Sequence, residues 1–469
     1  MEAALLDIVS TINSYLSNYV LIILLVGMGL WFTIRTKGIQ FRCFGEGWRR
    51  LFAGFSLRGG AHGGAMSSFQ ALATAVAAQV GTGNIVGACG AIIIGGPGAI
   101  FWMWIIALLG MATNYAEAVL AQETKKVDAD GTVHGGPVYY ITTAFKGAGG
   151  KFLAGFFAVA IILALGFMGC MVQSNSIAET MNHAFSIPTW AVGIVIVVLA
   201  GIVFIGGVSR LASVTEKLVP IMAILYILGS IVVLVMNAQN VPATFALIFE
   251  CAFNPAATVG GATFGIIAAL SQGAKRGLFS NEAGMGSTPH AHALADVKDP
   301  HEQGVVAMIG VFIDTIIVVT MTALVVISTF YVGDGLLATG DYAALTADAI
   351  TKTNIAQLAF GQFFGENPGA WFVAICLLFF AFSTILSWNL FAKINVEYLF
   401  GKKAVLAFSI IALVFIFMGS ILSNDLVWEL ADLFNQLMVI PNAIALFALS
   451  GAVVKCANKK HDKKVREEE

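Results

Sequence analysis

Charge is what this sequence has least of: 25 Lys and Arg with 27 Asp and Glu make 11% of its 469 residues, against roughly a quarter in an average soluble domain. With 58% apolar residues, water is not the chain's main solvent. Its six cysteines, Cys43, Cys89, Cys170, Cys251, Cys376 and Cys456, lie far apart and mostly inside apolar runs. They lack the short spacings of a disulfide framework or zinc site and read as small core residues. No P-loop motif is present, so ATP-driven transport would need a separate subunit. No cleavable signal peptide is evident, because the first apolar run has no Lys or Arg before it and no small-residue cleavage site after it. Neither a nucleophile with its base, nor a metal-ligand set, nor paired catalytic carboxylates converge in the apolar runs, which argues against a membrane-embedded enzyme. Nothing points to nucleic acid, and the net charge of −2 identifies no partner.

Apolar length and glycine are abundant. Fifty glycines suit a packed membrane bundle, where small residues let helix backbones approach. A spanning helix needs about 20 mostly apolar residues, and about eleven runs qualify: 15–34, 66–94, 98–121, 152–182, 188–207, 215–236, 261–295, 303–332, 369–399, 403–422 and 427–454. Basic residues alternate between their connections. Arg35, Lys37, Arg42, Arg49, Arg50 and Arg58 follow the first run, and Lys125, Lys126, Lys146 and Lys151 follow the third. Arg210, Lys217, Lys298, Lys402, Lys403 and the tail from Lys455 to Arg466 fall on the same side, with Lys352 alone opposite. The positive-inside rule then predicts a multi-pass protein of the cell membrane, its N-terminus outside and its C-terminus cytoplasmic.

Two connections are long. The external stretch 333–368, with one or two surface helices expected in Asp341–Gln362, reads as a lid. The cytoplasmic stretch Gly38–Gly64, rich in Arg, Phe, Trp and Gly, predicts an amphipathic interfacial helix. The domain reading is 1–64 as an extra helix with this segment, 65–236 and 237–454 as two five-helix halves, and 455–469 as a charged tail.

Two runs are interrupted at mid-depth. In the second, Ala77-Ala78-Gln79-Val80-Gly81-Thr82-Gly83-Asn84 separates apolar arms. In the seventh, Leu270-Ser271-Gln272-Gly273 precedes Lys275-Arg276-Gly277 and Asn281-Glu282-Ala283-Gly284, and neither patch is expected to be continuous helix. Backbone leaves helical geometry inside a bilayer only where protein or a wet cavity satisfies it. Freed amides then attract a carboxylate, and freed carbonyls a cation or ammonium. A zwitterionic amino acid offers both partners. The runs are five spans apart and run in opposite directions, as an inverted repeat requires.

These residues carry a resemblance. Gly95-Gly96-Pro97-Gly98-Ala99-Ile100-Phe101-Trp102-Met103-Trp104 through Gly110, and Arg276-Gly277-Leu278-Phe279-Ser280-Asn281-Glu282-Ala283-Gly284-Met285-Gly286, resemble signatures of the bacterial and archaeal alanine or glycine:cation symporter family. The resemblance covers essentially the whole chain and implies an all-α polytopic fold of LeuT type, a 5+5 inverted repeat preceded by one extra helix. The wider LeuT-type group is similar at Val80-Gly81-Thr82-Gly83-Asn84, which would hold the substrate carboxylate with Gln79 nearby, and at Leu270-Ser271-Gln272-Gly273, which would hold the ammonium. Its paired sodium-binding hydroxyls match Ser383-Thr384, with the carbonyls of Ala77, Val80 and Phe380 completing a sodium site. Ala269 departs from the pattern where some relatives carry a further sodium-binding hydroxyl. Asp314 lies well inside the eighth run and needs a partner; Lys275 or Arg276 is the expected one, ahead of a cation-binding role.

Phe167, Trp371 and Trp388 are candidates for an apolar pocket wall, Phe167 first because Gly166 and Gly169 beside it leave room. A metal cluster of His290, His292 and Asp296 is disfavoured, since helical residues two apart face differently. Glu117, with Asn114 near the inner end of the third run, reads as a helix-end carboxylate facing cytoplasmic water. The function expected is sodium-driven import of small neutral amino acids, alanine and also glycine, with sodium as the coupling ion. Proton coupling is the alternative, and a channel is less favoured because paired broken helices suit an occluded midplane site.

Overall fold

The computed structural model describes residues 2–53, 66–129, 131–254, 257–259, 262–338 and 350–459. Two short hairpins apart, the named elements are helices. Among the described residues eight helices are long and apolar enough to cross a membrane: α1 (Ala4–Arg35), α5 (Gly98–Thr124), α6 (Ala148–Phe185), α8 (Gly207–Met236), α11 (Pro300–Phe330), α13 (Glu366–Phe400), α14 (Ala404–Ile421) and α15 (Asp425–Ala448). A ninth span is the pair α3 (Ser68–Gln79) and α4 (Gly83–Gly95), bent by 47°. Helix α7 (Thr189–Ile205) is apolar but shorter, at 17 residues. The seventh apolar run is divided between α9 (Ile266–Asn281) and the five-residue α10 (Pro289–Ala293), which is why fewer than eleven helices pass on length.

Local chemistry sets several helix starts. Ser67 and Gln70 form a reciprocal capping box at α3. Asp299 accepts from the His301 amide, with Pro300 in the first turn of α11. Helices α7, α8 and α14 turn apolar faces outward, with Ile205 (85% exposed), Leu406 (68%) and Ile221 (61%) among them. An apolar surface of that extent suits lipid rather than water. The six cysteines are all buried and form no disulfide among the described residues.

Helix ends sort onto two faces. On one, Arg42 reaches the carbonyl of Ala457, Lys125 that of Ala295, and Arg50 pairs with Glu302. On the other, Lys352 pairs with Asp425 and Asn13 with Glu429. We call these the basic face and the opposite face.

The short helix α2 (Phe44–Ala53) lies at the basic face against α11, where a Cβ on Gly47 would fall 2.5 Å from the carbonyl of Val305. The hydrogen bond of Glu46 with His301, supported by Arg50 against the effect of burial, pulls its carboxyl down to about 2. Cys43, Glu46 and His301 form the sole cluster of potential metal ligands among the described residues, and Arg50 already neutralises it. Of the expected amphipathic segment, 54–64 lies outside the described residues, as do 339–349 of the lid and 460–469 of the tail. Within the described part of the lid, Ile355–Phe364 forms α12, with Ile355, Ala359 and Phe360 buried and Gln362 exposed.

Candidate functional site at two broken helices

At the first break, helix α3 ends at Val80 (φ −78°, ψ 88°) and α4 begins with a π turn over Gly83–Gly87. The Gly81 amide donates to Asn84 Oδ1 (2.8 Å) and the Thr82 amide to Gln173 Oε1 of α6 (3.0 Å). Both glycines are required by close approach. A Cβ on Gly81 would sit 2.4 Å from Thr384 Oγ1, and one on Gly83 would sit 3.0 Å from Ser280 Cα. The break is therefore wedged between α13 and the end of α9.

The second break lies at the Asn281–Gly284 end of the polar patch and not at Leu270–Gly273. Helix α9 runs uninterrupted through Leu270–Gly273 and ends at Asn281, after which Glu282 (φ 58°), Gly284 (φ 90°) and Gly286 (φ 83°) take left-handed conformations. Gly273 is a packing glycine, its missing Cβ only 2.5 Å from Trp102 Cβ of α5. Ser271 donates to Asn18 of α1 (2.5 Å), and Gln272 lies beside Gly95 at the far end of α4. None of the three belongs to a break. The amides of Ala283 and Gly284, which a continuing helix would bond back to Phe279 and Ser280, go instead to Asn281 Oδ1 (3.0 Å) and Glu117 Oε2 (3.0 Å). Two carbonyls are thereby freed from helix bonding.

Glu117 holds this irregular segment. It accepts from the amides of Gly284 and Gly286 (2.9 Å) and from Asn442 Nδ2 (2.7 Å), and Tyr140 in turn donates to Asn442. Its carboxylate is fully buried, not facing cytoplasmic water, because unpaired amides inside a membrane need an acceptor. Gln79 Nε2 donates to the Asn281 carbonyl (2.7 Å) and ties the breaks together. Trp388 Nε1 donates to Glu282 Oε1 (2.5 Å), and its ring meets Phe279 edge-on at 5.7 Å.

Two oxygen-rich clusters flank the breaks. Thr384 Oγ1 lies 2.8 Å from the Ala77 carbonyl and 3.1 Å from that of Phe380, and Ser383 Oγ lies 2.9 Å from Phe380 and 3.4 Å from Ala77. The other centres on Asp314, fully buried in a π turn of α11. It accepts from Asn84 Nδ2 (2.5 Å), Ser280 Oγ (2.9 Å) and Thr315 Oγ1 (2.7 Å). The expected pairing with Lys275 or Arg276 does not occur, because both reach Asp432 (2.8 and 3.2 Å).

Around the breaks Thr82 Oγ1, Gln79 Oε1 and Gln173 Nε2 are buried without a protein partner, as are Ser387 Oγ and both side-chain polar atoms of Asn389 on α13. Native interiors rarely leave such groups unpaired. Trp388 is the one sequence-chosen aromatic that lies here. Phe167 points away and stacks on Phe415 of α14 (4.6 Å), while Gly166 and Gly169 bring α6 against Ala392 and Trp388 instead of leaving room. Trp371 is 43% exposed and donates to the Ala184 carbonyl near the opposite face. His290 and His292 are occupied by Asn395 and Gln303 and form no metal cluster among the described residues. Sequence reasoning missed Gln173, Phe279 and Ser280. The polar stretch Gln173-Ser174-Asn175-Ser176 inside the apolar run 152–182 was the available signal for the first.

A model of the sodium:alanine symporter family matches residues 2–469. The chain belongs to that family. It is 39% identical over 449 residues to "Sodium/alanine symporter AgcS" of Methanococcus maripaludis, covering 96% of this chain and 95% of that protein. It is 38% identical over 458 residues to "Probable sodium/glutamine symporter GlnT" of Bacillus subtilis, covering 97% and 90%. The crystal structure of MhsT in complex with L-phenylalanine superposes with a TM-score of 0.59 over 87% of this chain and 95% of that one, at 15% identity. The fold is thus of LeuT type. The chain is a multi-pass amino-acid transporter and not an enzyme.

Proposed function

We propose that the chain is a sodium-coupled symporter importing small neutral amino acids, alanine foremost and glycine also, by alternating access around the two breaks. The observation that carries this reading is the set of unpaired buried polar atoms, Thr82 Oγ1, Gln173 Nε2 and Gln79 Oε1, beside two interrupted helices. They suit a small zwitterion. Its carboxylate would lie at the Gly81–Gly83 turn with Thr82 and Gln173, and its ammonium at the freed carbonyls of Phe279 and Ser280. The rings of Phe279 and Trp388 would then wall the side chain. Sodium would take the carbonyls of Ala77, Val80 and Phe380 with the hydroxyls of Ser383 and Thr384, hard oxygen donors of the kind small hard cations prefer.

Asp314 supports a second cation. A carboxylate enclosed without a basic partner is costly in a membrane, and Asn84, Ser280 and Thr315 already orient it. We read the basic face as cytoplasmic and the N-terminus as outside, and residues 65–236 and 237–454 as inverted halves. The test is uptake of labelled alanine into liposomes under an imposed sodium gradient, a proton gradient or none. Uptake driven by protons alone would replace sodium as the coupling ion, and no uptake under any gradient would refute the substrate.

A further inference from the structure

The extra helix α1 takes no part in the mechanism above, yet the side it turns to the bundle carries buried polar residues, Asn13 and Ser17. Asn13 Nδ2 donates to both the side chain (2.5 Å) and the carbonyl (2.8 Å) of Glu429 on α15. Ser17 Oγ lies 3.1 Å from Gln436 Oε1, and Gln436 Nε2 lies 3.4 Å from Asn13 Oδ1. Asn18 accepts instead from Ser271 of α9 (2.5 Å). Ser17 and Asn18 fall within a π turn, Leu16–Leu21, that divides the helix into two parts. Such turns are commonly found at functional positions.

These contacts border the ion pairs that close the opposite face. Lys275 Nζ joins Asp432 (2.8 Å) and Glu429 Oε1 (3.4 Å), and Arg276 joins Asp432 while lying 4.6 Å from the Trp428 ring centre. Phe279 packs on the same Trp428 at 4.8 Å, so this layer covers the proposed substrate site from outside. Glu429 is shared, with Oε1 toward Lys275 and Oε2 toward Asn13. Opening this face must separate α9 from α15, and α1 is bonded to both. It cannot keep both sets of bonds. The inner part of α1 packs on α5, where Gly29 has Leu109 Cβ at 2.5 Å from its missing Cβ, and α5 packs closely on α9.

We propose that α1 is a latch on the outward gate: it moves with α5 and α9, and its Asn13 and Ser17 contacts with α15 break each time the gate opens. The inference rests on the proposed transport cycle and orientation.

The test compares two cysteine pairs, Ser17→Cys with Gln436→Cys and Asn18→Cys with Ser271→Cys, each bridged by a short reducible bifunctional thiol reagent. The native cysteines are buried, and the parent chain treated alike controls for them. Bridging the first pair should abolish sodium-driven alanine uptake, with recovery on reduction, while bridging the second should leave uptake at the unbridged rate. Arrest by both bridges, by neither, or by the second alone overturns the latch. Parent uptake is measured alongside, so failure of the transport reading is seen separately. Should a pair not survive purification, Asn13→Ala gives a second measure. Weakening the closed state raises the outward-open population, so half-saturating external alanine should fall roughly two- to tenfold. A rise or no change would also overturn the proposal.

Discussion

Thr384→Val is the sharpest perturbation of the proposed sodium site. Valine keeps the branched shape that fills the space beside Gly81, and removes only Oγ1, now 2.8 Å from the Ala77 carbonyl. Without an ion the hydroxyl bonds the carbonyls of Ala77, Ala78 and Phe380, so the folded protein should lose about 1–3 kcal/mol. With an ion bound it would be one of about five oxygens around a positive charge. A hydrogen-bond-like contact to a charged group contributes about 1.5–3 kcal/mol, and 1.4 kcal/mol is a factor of ten. Half-saturating sodium should therefore rise by roughly ten- to a hundredfold. Two assays separate binding from folding: alanine uptake into liposomes across a sodium titration, and sodium-dependent thermal stabilisation of purified protein, which falls as sodium affinity falls. Ser383→Ala should act in the same direction, since its Oγ approaches the same two carbonyls. A Thr384→Val protein with parent-like melting and unchanged half-saturating sodium would refute the assignment.

Asp314→Asn keeps the shape of the second cluster but removes its charge, so uptake should become less steep in sodium concentration; parent-like steepness would leave Asp314 a purely structural acceptor. Phe279→Ala removes a proposed pocket wall, and at about 0.8 kcal/mol per buried methylene valine should gain about fourfold per methylene over alanine in competition binding. Equal losses for glycine, alanine and valine would place that ring outside the pocket. Glu117→Gln leaves one acceptor where two amides and Asn442 Nδ2 now converge. An unsatisfied buried group costs about 1–3 kcal/mol, so thermal unfolding should shift clearly downward, and an unchanged melting curve would show that the break holds itself.

The two breaks were unequally legible, for a physical reason. The first is specified locally: Val80-Gly81-Thr82-Gly83-Asn84 holds two glycines with no room for a side chain and an Asn that caps its own turn. The Thr82 amide reaches further, to Gln173 Oε1, but the two glycines and Asn84 mark the break within a few residues of the end of α3. The second break depends on Glu117, which reaches Gly284 and Gly286 from 167 and 169 residues upstream. Nothing local distinguishes Gly273, a helical contact with α5, from Gly284, a left-handed one. A glycine beside polar residues therefore marks either a break or a close helix crossing, and the choice falls to whichever segment finds a distant acceptor for its freed amides. Phe167 followed the same logic in reverse. Its neighbouring glycines are small because Ala392 and Trp388 press against them, and that pressure turns the ring away from the breaks toward Phe415. The alternation of basic residues across connections needed no such distant information. It predicted that residues such as Arg42, Arg50 and Lys125 share one face, where their partners are found, because charge placement along a spanning chain is read one connection at a time.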